Sequence, residues 1–297
     1  MVQEKIIGRF APSPSGPLHF GSLACALASY LDAKVRGGQW LVRMEDLDPP
    51  REIKGASQHI LNQLEAHSLC WDGQVLYQSQ RLDAYAEVIL SLEEAQLAYH
   101  CQCNRKRITE LSGLYDNHCR TLDLDGQNNA TRLALLHQID IISFDDEFIG
   151  HVSQSLRSTV GDFIIKRRDG LFSYQLAVTV DDAFQAVTRV VRGSDLLNST
   201  PRQIYLQQCL GYKQPSYAHV PIAVTSDGQK LSKQNLATGL PAGHESSNLC
   251  VALDWLQQSP PHKLSSLPTA EIISWAIQNW DQNKLPTNLT VPAPKGF

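Results

Sequence analysis

The chain has 297 residues, of which 42% are hydrophobic and 19% charged, and its net charge at pH 7 is −4. This composition excludes a disordered chain, and the negative charge excludes a protein that binds nucleic acid through a uniformly basic surface. The sequence has no apolar run of about 18 residues, so we expect no membrane span. Seven cysteines, an odd number, and a start that leaves no room for a signal peptide predict a cytoplasmic protein with reduced thiols.

The first elements of the chain predict a βαβ unit. Residues 5–7 read as the end of a strand, and a loop rich in proline and glycine follows over residues 8–22. Apolar residues then recur at helical spacing, with Ser22 as the expected N-cap. Residues 39–44 form a second strand candidate, so the connection is expected to be a right-handed crossover.

The loop after the first strand carries the chemistry of an anion site. A strand, a loop and a helix start in this order point backbone N–H groups and a helix dipole at an anion, usually a phosphate. The His19 ring can donate to a phosphate oxygen, and Gly21 lets a nucleotide lie close to the backbone. The loop therefore predicts a nucleotide site near the N-terminus.

The middle of the chain is predicted to contain two helices and an insertion. The first helix is predicted to begin at residue 57, and the second to cover residues 82–97. The composition becomes polar near Tyr99. The polar segment, residues 100–170, reads as an insertion between two halves of the nucleotide-binding sheet. Its predicted short strands cover residues 130–135, 139–144 and 150–154.

The rest of the chain is predicted to complete the sheet and to end in helices. Residues 172–180 are expected to return to the sheet, and residues 292–294 to form a loosely attached tail. The other predicted elements are a helix over residues 204–210, a strand over 220–224, and helices over 249–256 and 270–280.

Three cysteines in the insertion have a spacing that suits a metal. Cys101, Cys103 and Cys119 lie within 19 residues of one another in the sequence. Zinc prefers cysteine and histidine ligands, so chemistry alone favours His118 as the fourth ligand, with Tyr115 and His100 as alternatives. The pattern predicts a structural zinc site whose fourth ligand stays open at this point.

Four segments resemble signatures of the class I aminoacyl-tRNA synthetases in their glutamyl and glutaminyl form. They occur in the order of that family over about 230 residues, which is far more specific than one motif. The segments are Arg9–Ser22, similar to the HIGH signature; Val42–Arg51, similar to Arg-x-Glu-Asp-x-Asp; Ser173–Asp182 with Val191–Leu197; and Lys230–Gln234, similar to the KMSKS loop.

The resemblance implies an α/β fold with a Rossmann-type parallel nucleotide-binding sheet. The implied domains are a first half of the catalytic domain (1–99), an inserted zinc-bearing subdomain that contacts tRNA (100–170), a second catalytic half with the KMSKS-like loop (171–234), and a C-terminal helical segment that contacts the tRNA stem (235–297). Since 63 residues follow Gln234, we expect no anticodon-binding domain.

The resemblance also implies activation of an amino acid by ATP. Catalysis then consists of placing two anions in line and neutralising the charge that develops, without a protein nucleophile. The expected catalytic residues are His19, Gly21, Lys230 and Lys233, of which His19, Gly21 and Lys233 bind ATP, with Mg²⁺ on the phosphates.

By the same resemblance, the amino acid is L-glutamate. The residues implied to bind it are Arg9, Ala11, Ser13, Glu45, Tyr174 and Arg192. Glu45 is the natural partner of the α-ammonium, and Arg192 can bind the side-chain carboxylate through two hydrogen bonds. Glutaminyl enzymes do not keep this arginine, so Arg192 favours glutamate; the alternative is that it pairs with Asp195 in a surface turn. The sequence departs from the family at Val178, where the family has asparagine, and the lost amide predicts weaker glutamate binding.

The family pattern C-x-C-x₁₁-Y-x₃-C fits Cys101, Cys103, Tyr115 and Cys119 without a gap. The resemblance therefore implies Tyr115 as the fourth zinc ligand, with His118 as the runner-up.

Within the family, the chain is similar to shortened relatives of glutamyl-tRNA synthetase that attach glutamate to the queuosine base in the anticodon of tRNA(Asp). This implies a partner, the queuosine-bearing anticodon arm of tRNA(Asp), held by basic residues such as Arg105, Lys106 and Arg107, with Lys166–Arg168 as a second basic stretch. We expect a monomer. The alternatives are a truncated synthetase that charges a tRNA 3′ end, and a non-catalytic sensor of glutamate or its adenylate; the intact ATP motifs argue against the sensor.

Overall fold

The computed structural model describes residues 5–231 and 239–297. Regular elements alternate between strands and helices through most of this chain. The strands are β1 (Ile7–Phe10), β2 (Gln39–Met44), β3 (Leu76–Tyr77), β4 (Ala98–Cys101), β5 (Ala130–Leu133), β6 (Ile141–Asp146), β7 (Gly150–Ser155), β8 (Phe163–Lys166), β9 (Arg189–Gly193), β10 (Ser216–Val220), β11 (Ile222–Val224) and β12 (Thr290–Pro292). The helices are α1 (Phe20–Val35), α2 (Ala56–Ala66), α3 (Leu82–Glu94), α4 (Arg105–Glu110), α5 (Leu156–Thr159), α6 (Tyr174–Phe184), α7 (Thr200–Leu210), α8 (Glu245–Trp255) and α9 (Thr269–Asn279).

Two groups of parallel strands meet side by side and confirm the predicted parallel sheet. β1 pairs with β2 and β2 with β3, all in parallel, while β9 and β10 form a second parallel pair. β9 lies next to β1, where the Thr188 N–H donates to the Ile7 carbonyl at 3.0 Å. The carboxyl ends of β1, β2, β9 and β10 therefore open at one edge, which is where ligands bind in folds of this kind.

The segment between β3 and α6 contributes to two different sheets. β4, β5 and β8 form an antiparallel sheet of their own. β6 and β7 form a hairpin, and β6 pairs with β10 at the end of the β9–β10 sheet. Part of the predicted insertion is thus hydrogen-bonded to the nucleotide-binding sheet. The division of the chain at residues 99, 170 and 234 stays a prediction.

The helix after β1 begins earlier than the sequence predicted. Ser22 is not the N-cap, because His19 has an extended backbone and its ring Nδ1 accepts the Ser22 N–H at 3.3 Å. Gly21 and Ser22 consequently lie within the first helical turn. The preceding strand also extends beyond its predicted end, since its pairing with β2 continues from Ile7 through Phe10.

The prediction that residues 172–180 return to the sheet is wrong, because this segment begins α6. Ser173 caps the helix by accepting the Leu176 N–H at 3.3 Å, and residues 176–182 are all buried. A short apolar run that is buried on every side has no periodicity that separates strand from helix. The predicted strand over 220–224 is interrupted at Pro221, which has no N–H, and becomes β10 and β11.

The loosely attached tail predicted at residues 292–294 is also wrong. β12 pairs in parallel with β11, and the Trp255 indole N–H donates to the Pro292 carbonyl at 2.8 Å. The Phe297 ring packs on Phe20 with its centroid 4.7 Å away. These contacts attach the tail to both β11 and the start of α1. No helix of the described residues is long and apolar enough to span a membrane.

Candidate active site

A cavity of about 590 Å³ opens at the carboxyl edge of the parallel strands. Nine of the residues implied to bind substrates lie around it, although they come from distant parts of the chain. They are Arg9, Ala11, Ser13, His19, Gly21, Glu45, Tyr174, Arg192 and Lys230. Lys233, the other implied catalytic residue, lies outside the described residues.

The floor of the cavity contains a buried cluster of charges. Asp182 accepts two hydrogen bonds from Arg9, from Nε at 3.1 Å and from Nη2 at 3.3 Å, and forms an ion pair with Arg43, whose Nη1 lies 2.8 Å away. The side chain of Arg43 is completely buried, and that of Asp182 is 6% exposed. Burial opposes ionisation of Asp182, but the two guanidinium groups hold its pKa below the usual value. This aspartate therefore fixes both arginines beneath the cavity.

Glu45 presents a carboxylate at the same place with spare hydrogen-bonding capacity. Its Oε1 is buried and has no hydrogen-bond partner among the described residues. Burial raises the pKa of Glu45 to about 7, and the positive charges of Arg43 and Arg9 oppose that rise. Its nearest cation is Arg43, whose Nη2 lies 3.7 Å from Oε1. A buried carboxylate without hydrogen bonds is costly, so a cationic ligand such as an ammonium is the group that would complete this site.

Arg192 reaches the cavity from the end of β9. Its Nη2 donates to Thr200 Oγ1 at 2.8 Å, its Nη1 to Tyr174 Oη at 3.4 Å, and its Nε to His219 Nε2 at 3.1 Å. No carboxylate pairs with it in the part of the chain that the structure describes. The alternative pairing with Asp195 is therefore wrong, because Asp195 binds Lys230 Nζ at 2.6 Å instead. The guanidinium is left as a site for an anionic ligand.

The residues that were predicted to bind phosphate lie at the opposite end of the cavity. His19 caps α1, and the first-turn residues Gly21 and Ser22 lie at the cavity wall. A Cβ at Gly21 would stand 3.3 Å from the His19 ring, which is a tight contact, and 3.5 Å from Ala223 Cβ, which is an ordinary one. Lys230 reaches the same wall from the loop after β11. Helix N–H groups, an imidazole and an ammonium together suit a polyphosphate.

Val178, which replaces the asparagine of the family, lies one helical turn after Tyr174. It is buried, and it does not belong to the described lining of the cavity. Its effect on affinity stays a prediction.

A second cavity of about 370 Å³ adjoins the first and shares Ser13, Glu45 and Tyr174 with it. Arg167 and Phe172 line its far side. This space leads from the implied glutamate site toward the antiparallel sheet.

The two basic stretches come together beside this second cavity. Arg168 donates to the carbonyl of Gln102, which directly precedes the segment that starts α4. Arg105 and Lys106 are exposed on α4, whereas Arg107 forms two hydrogen bonds with Asp116 at 3.0 and 2.6 Å. The contact of Arg168 with Gln102 brings the two basic stretches near each other, although they are far apart in the sequence, and their exposed residues Arg105, Lys106 and Arg168 are called the basic surface here.

The three predicted thiol ligands lie together. The sulfur atoms of Cys101, Cys103 and Cys119 are all within 4.8 Å of one another, and those of Cys103 and Cys119 are 3.5 Å apart. Sulfurs around a tetrahedral zinc lie roughly 3.8 Å apart, given a Zn–S bond of about 2.3 Å. The residues present therefore fit a zinc ion in donor type and spacing.

Of the candidates for the fourth ligand, the structure brings Tyr115 to the cluster. Its hydroxyl lies 3.5 Å from Cys101 Sγ and accepts the Cys119 N–H at 2.8 Å. His118 is exposed, and His100 lies near Glu93, at 3.6 Å. Arg132, which the sequence did not single out, donates to Cys101 Sγ at 3.1 Å. Burial opposes ionisation of Cys101, but its hydrogen-bonding contacts with Tyr115 and Arg132 hold its pKa below the usual value.

Sequence reasoning assigned no role to Asp146, Asp182 and His219, which support the arginines of the cavity. They lie far from their partners along the chain, so no local motif connects them. One signal was available: Asp182 falls in a buried apolar run, and His219 in a buried strand, where a polar side chain needs a partner.

Comparisons with known proteins give the same family for most of the chain. Residues 5–242 match the family model described as tRNA synthetases class I (E and Q), catalytic domain. A protein of Pseudomonas aeruginosa named glutamyl-Q tRNA(Asp) synthetase is 49% identical over 96% of this chain and 97% of its own length. The protein of that name in Escherichia coli K12 is 48% identical over 98% of this chain and 94% of its own length.

Two solved structures share the fold. A glutamate tRNA ligase from Elizabethkingia meningosepticum, in complex with its amino acid, superposes with a TM-score of 0.78 at 24% identity. The glutamate-tRNA synthetase of Elizabethkingia anophelis gives a TM-score of 0.76 at 25% identity. Each alignment covers 96% of this chain, which spans 66% of the first structure and 67% of the second.

Proposed function

Because the chain belongs to the class I tRNA synthetases of the glutamate and glutamine group, we propose that it activates L-glutamate with ATP and transfers it to the queuosine base in the anticodon of tRNA(Asp). The observation that carries the proposal is the pair of opposite charges at one cavity, where Glu45 has an oxygen without a hydrogen-bond partner and Arg192 has no carboxylate partner among the described residues. Relatives at 48–49% identity over almost their whole length carry the name of this activity.

In the first step, a carboxylate oxygen of glutamate attacks the α-phosphorus of ATP, and the bond to pyrophosphate breaks. Glu45 binds the α-ammonium and Arg192 the side-chain carboxylate, so the reacting carboxylate points along the cavity toward His19. His19, Lys230 and Lys233 neutralise charge on the phosphates, and Gly21 leaves room for the nucleotide. Mg²⁺ supplies further neutralisation of the phosphate oxygens when it is bound.

In the second step, a hydroxyl of the queuosine cyclopentene ring attacks the activated carbonyl, an ester bond forms, and AMP leaves. The second cavity gives such a base a route to Glu45 and Tyr174. The basic surface of Arg105, Lys106 and Arg168 lies where it can hold the phosphates of the anticodon arm. A monomer in the cytoplasm, as expected from the sequence, is part of this proposal.

A zinc ion held by Cys101, Cys103, Tyr115 and Cys119 would be structural, since all four ligands come from the protein. Such an ion would cross-link β4 to the loop that ends at Cys119, and would so fix the segment that starts α4. The segment carries two residues of the basic surface. Zinc therefore serves transfer to tRNA in this proposal, rather than activation.

The test measures transfer of labelled glutamate to three RNAs: tRNA(Asp) with queuosine, tRNA(Asp) from cells that cannot make queuosine, and tRNA(Glu). Of these three, we expect transfer to the first alone. An isolated anticodon stem-loop that carries queuosine, tested as a fourth RNA, should also accept glutamate. Efficient charging of tRNA(Glu) would favour the truncated synthetase. Glutamate binding without ATP–pyrophosphate exchange would favour the sensor.

A further inference from the structure

A line of three buried side chains ends at the arginine of the cavity. Asp146 Oδ2 lies 2.6 Å from His219 Nδ1, and His219 Nε2 lies 3.1 Å from Arg192 Nε. The three residues come from β6, β10 and β9, and each is at most 3% exposed. Water is thus excluded from the series of hydrogen bonds that leads from the Asp146 carboxylate to the cavity.

The partners at its two ends fix one tautomer of His219. An arginine can only donate, so Nε2 must accept from Arg192, and the proton of the neutral ring must be on Nδ1. A carboxylate accepts that proton, which agrees with the Asp146 contact. Burial lowers the pKa of His219, which favours the neutral ring.

The hydrogen bonds from Asp146 through His219 also limit how the Arg192 guanidinium can rotate. Its Nε is held by His219 and its Nη2 by Thr200, so the plane of the guanidinium is set from behind the cavity. A bidentate contact with a carboxylate requires that plane to be fixed in advance. Tyr174 marks the cavity side, where its hydroxyl meets Nη1 at 3.4 Å.

We propose that Asp146 and His219 are positioning residues that make the site selective for an amino acid with a side-chain carboxylate, because they hold Arg192 in the orientation that binds it. This rests on the proposed function. Neither residue touches the substrate, so the effect passes entirely through the Arg192 guanidinium.

The surroundings of Asp146 make its amide variant informative. Asp146 Oδ1 accepts the N–H groups of Phe148, Ile149 and His219, each at 3.1 Å. In Asp146→Asn the side-chain oxygen must stay there, so the new NH₂ group faces His219 Nδ1. The ring then shifts its proton to Nε2, and two donors oppose each other at Arg192, as in the wrong-tautomer variant of a catalytic triad.

The experiment is ATP–pyrophosphate exchange with the full chain. Asp146→Asn is expected to raise the KM for glutamate about tenfold or more and to reduce discrimination against glutamine, with the KM for ATP unchanged. The matched control is Asp145→Asn, the same change at the adjacent residue. Asp145 is 89% exposed, and its partner His151 lies 2.8 Å away at the surface. We expect the control to change neither KM.

Two variants of His219 keep the proposal falsifiable if Asp146→Asn does not fold. His219→Gln offers an amide oxygen to Arg192, whereas His219→Leu has similar bulk and no acceptor. We expect the rise in the KM for glutamate caused by His219→Gln to be less than a third of the rise caused by His219→Leu.

Equal effects of the two His219 variants, or an equal rise in the KM for ATP, would overturn the positioning role. Failure of the proposed function has a different signature, since the unaltered chain would then show no exchange with glutamate.

Discussion

Glu45 Oε1 and Arg43 Nη2 lie 3.7 Å apart in the floor of the cavity without forming a hydrogen bond. Their charges attract, but neither atom has a hydrogen-bond partner among the described residues. Because burial raises the pKa of Glu45 to about 7, this carboxylate is about half ionised at neutral pH. Its protonation is therefore expected to control ligand binding.

Glutamate binding should weaken as the pH falls below 7. Burial raises the pKa of Glu45 to about 7, and only the ionised form offers the α-ammonium a negative charge. Affinity is then complete above this pKa and falls by about tenfold for each pH unit below it. Calorimetric titration with glutamate in the absence of ATP, from pH 5.5 to 8.5, measures this slope.

The control for that titration is Glu45→Gln, which cannot ionise. Its residual affinity should be low and independent of pH over the same range. An equally steep pH dependence in this variant would assign the titration to another group.

ATP–pyrophosphate exchange should proceed with glutamate and much less with glutamine or aspartate. An arginine left unpaired beside a neutral amide costs roughly 2–5 kcal/mol, which corresponds to a loss of at least about thirtyfold. Arg192→Gln should remove most of the preference. Equal exchange with glutamine in the unaltered chain would contradict the role assigned to Arg192.

The purified chain should contain about one zinc ion, and Cys101→Ser should lose it. Exchange should survive this change better than transfer to tRNA, because the cluster lies in the segment that carries the basic surface. Cys70→Ser is the matched control, since Cys70 is exposed and lies outside the cluster. Metal analysis after purification without chelators decides the matter, and absence of zinc would refute the site.

Asp182→Asn should destabilise the protein by roughly 3–5 kcal/mol, because it leaves two buried guanidinium groups without their shared carboxylate. Urea unfolding measures the change. The control is Asp169→Asn, at an exposed aspartate that pairs with Arg167 at 2.5 Å. This change should lower the free energy of unfolding by less than about 1 kcal/mol. A similar loss of stability in both variants would contradict the view that Asp182 stabilises the two buried arginines.

The residues that line the cavity could be predicted because they belong to short local segments of the sequence. His19, Gly21 and Glu45 belong to short segments with recognisable order, and each segment ends a parallel strand or begins a helix. Such positions are brought to one edge by the topology of the sheet alone. Knowledge of the sheet therefore suffices to place them together.

The supporting residues could not be predicted in this way. Asp146 and His219 are 73 residues apart, and Arg9 and Asp182 are 173 apart, so their pairing depends on the final packing. The helix α6 was missed for a related reason, because Val178, Thr179 and Val180 favour a strand locally. Tertiary burial on all sides, with a cap from Ser173, overrides that preference.

The docked tail separates two boundaries that are easily confused. The family match ends at residue 242, yet α8 and α9 pack against α1, and β12 covers the edge of β11. A chain cut at the end of the match would leave β11 as an open edge and uncover Phe20 beside His19, which invites aggregation. Residues 243–297 thus belong to the same packed unit as the matched residues, and a truncation for experiments has to be placed after them and not at residue 242.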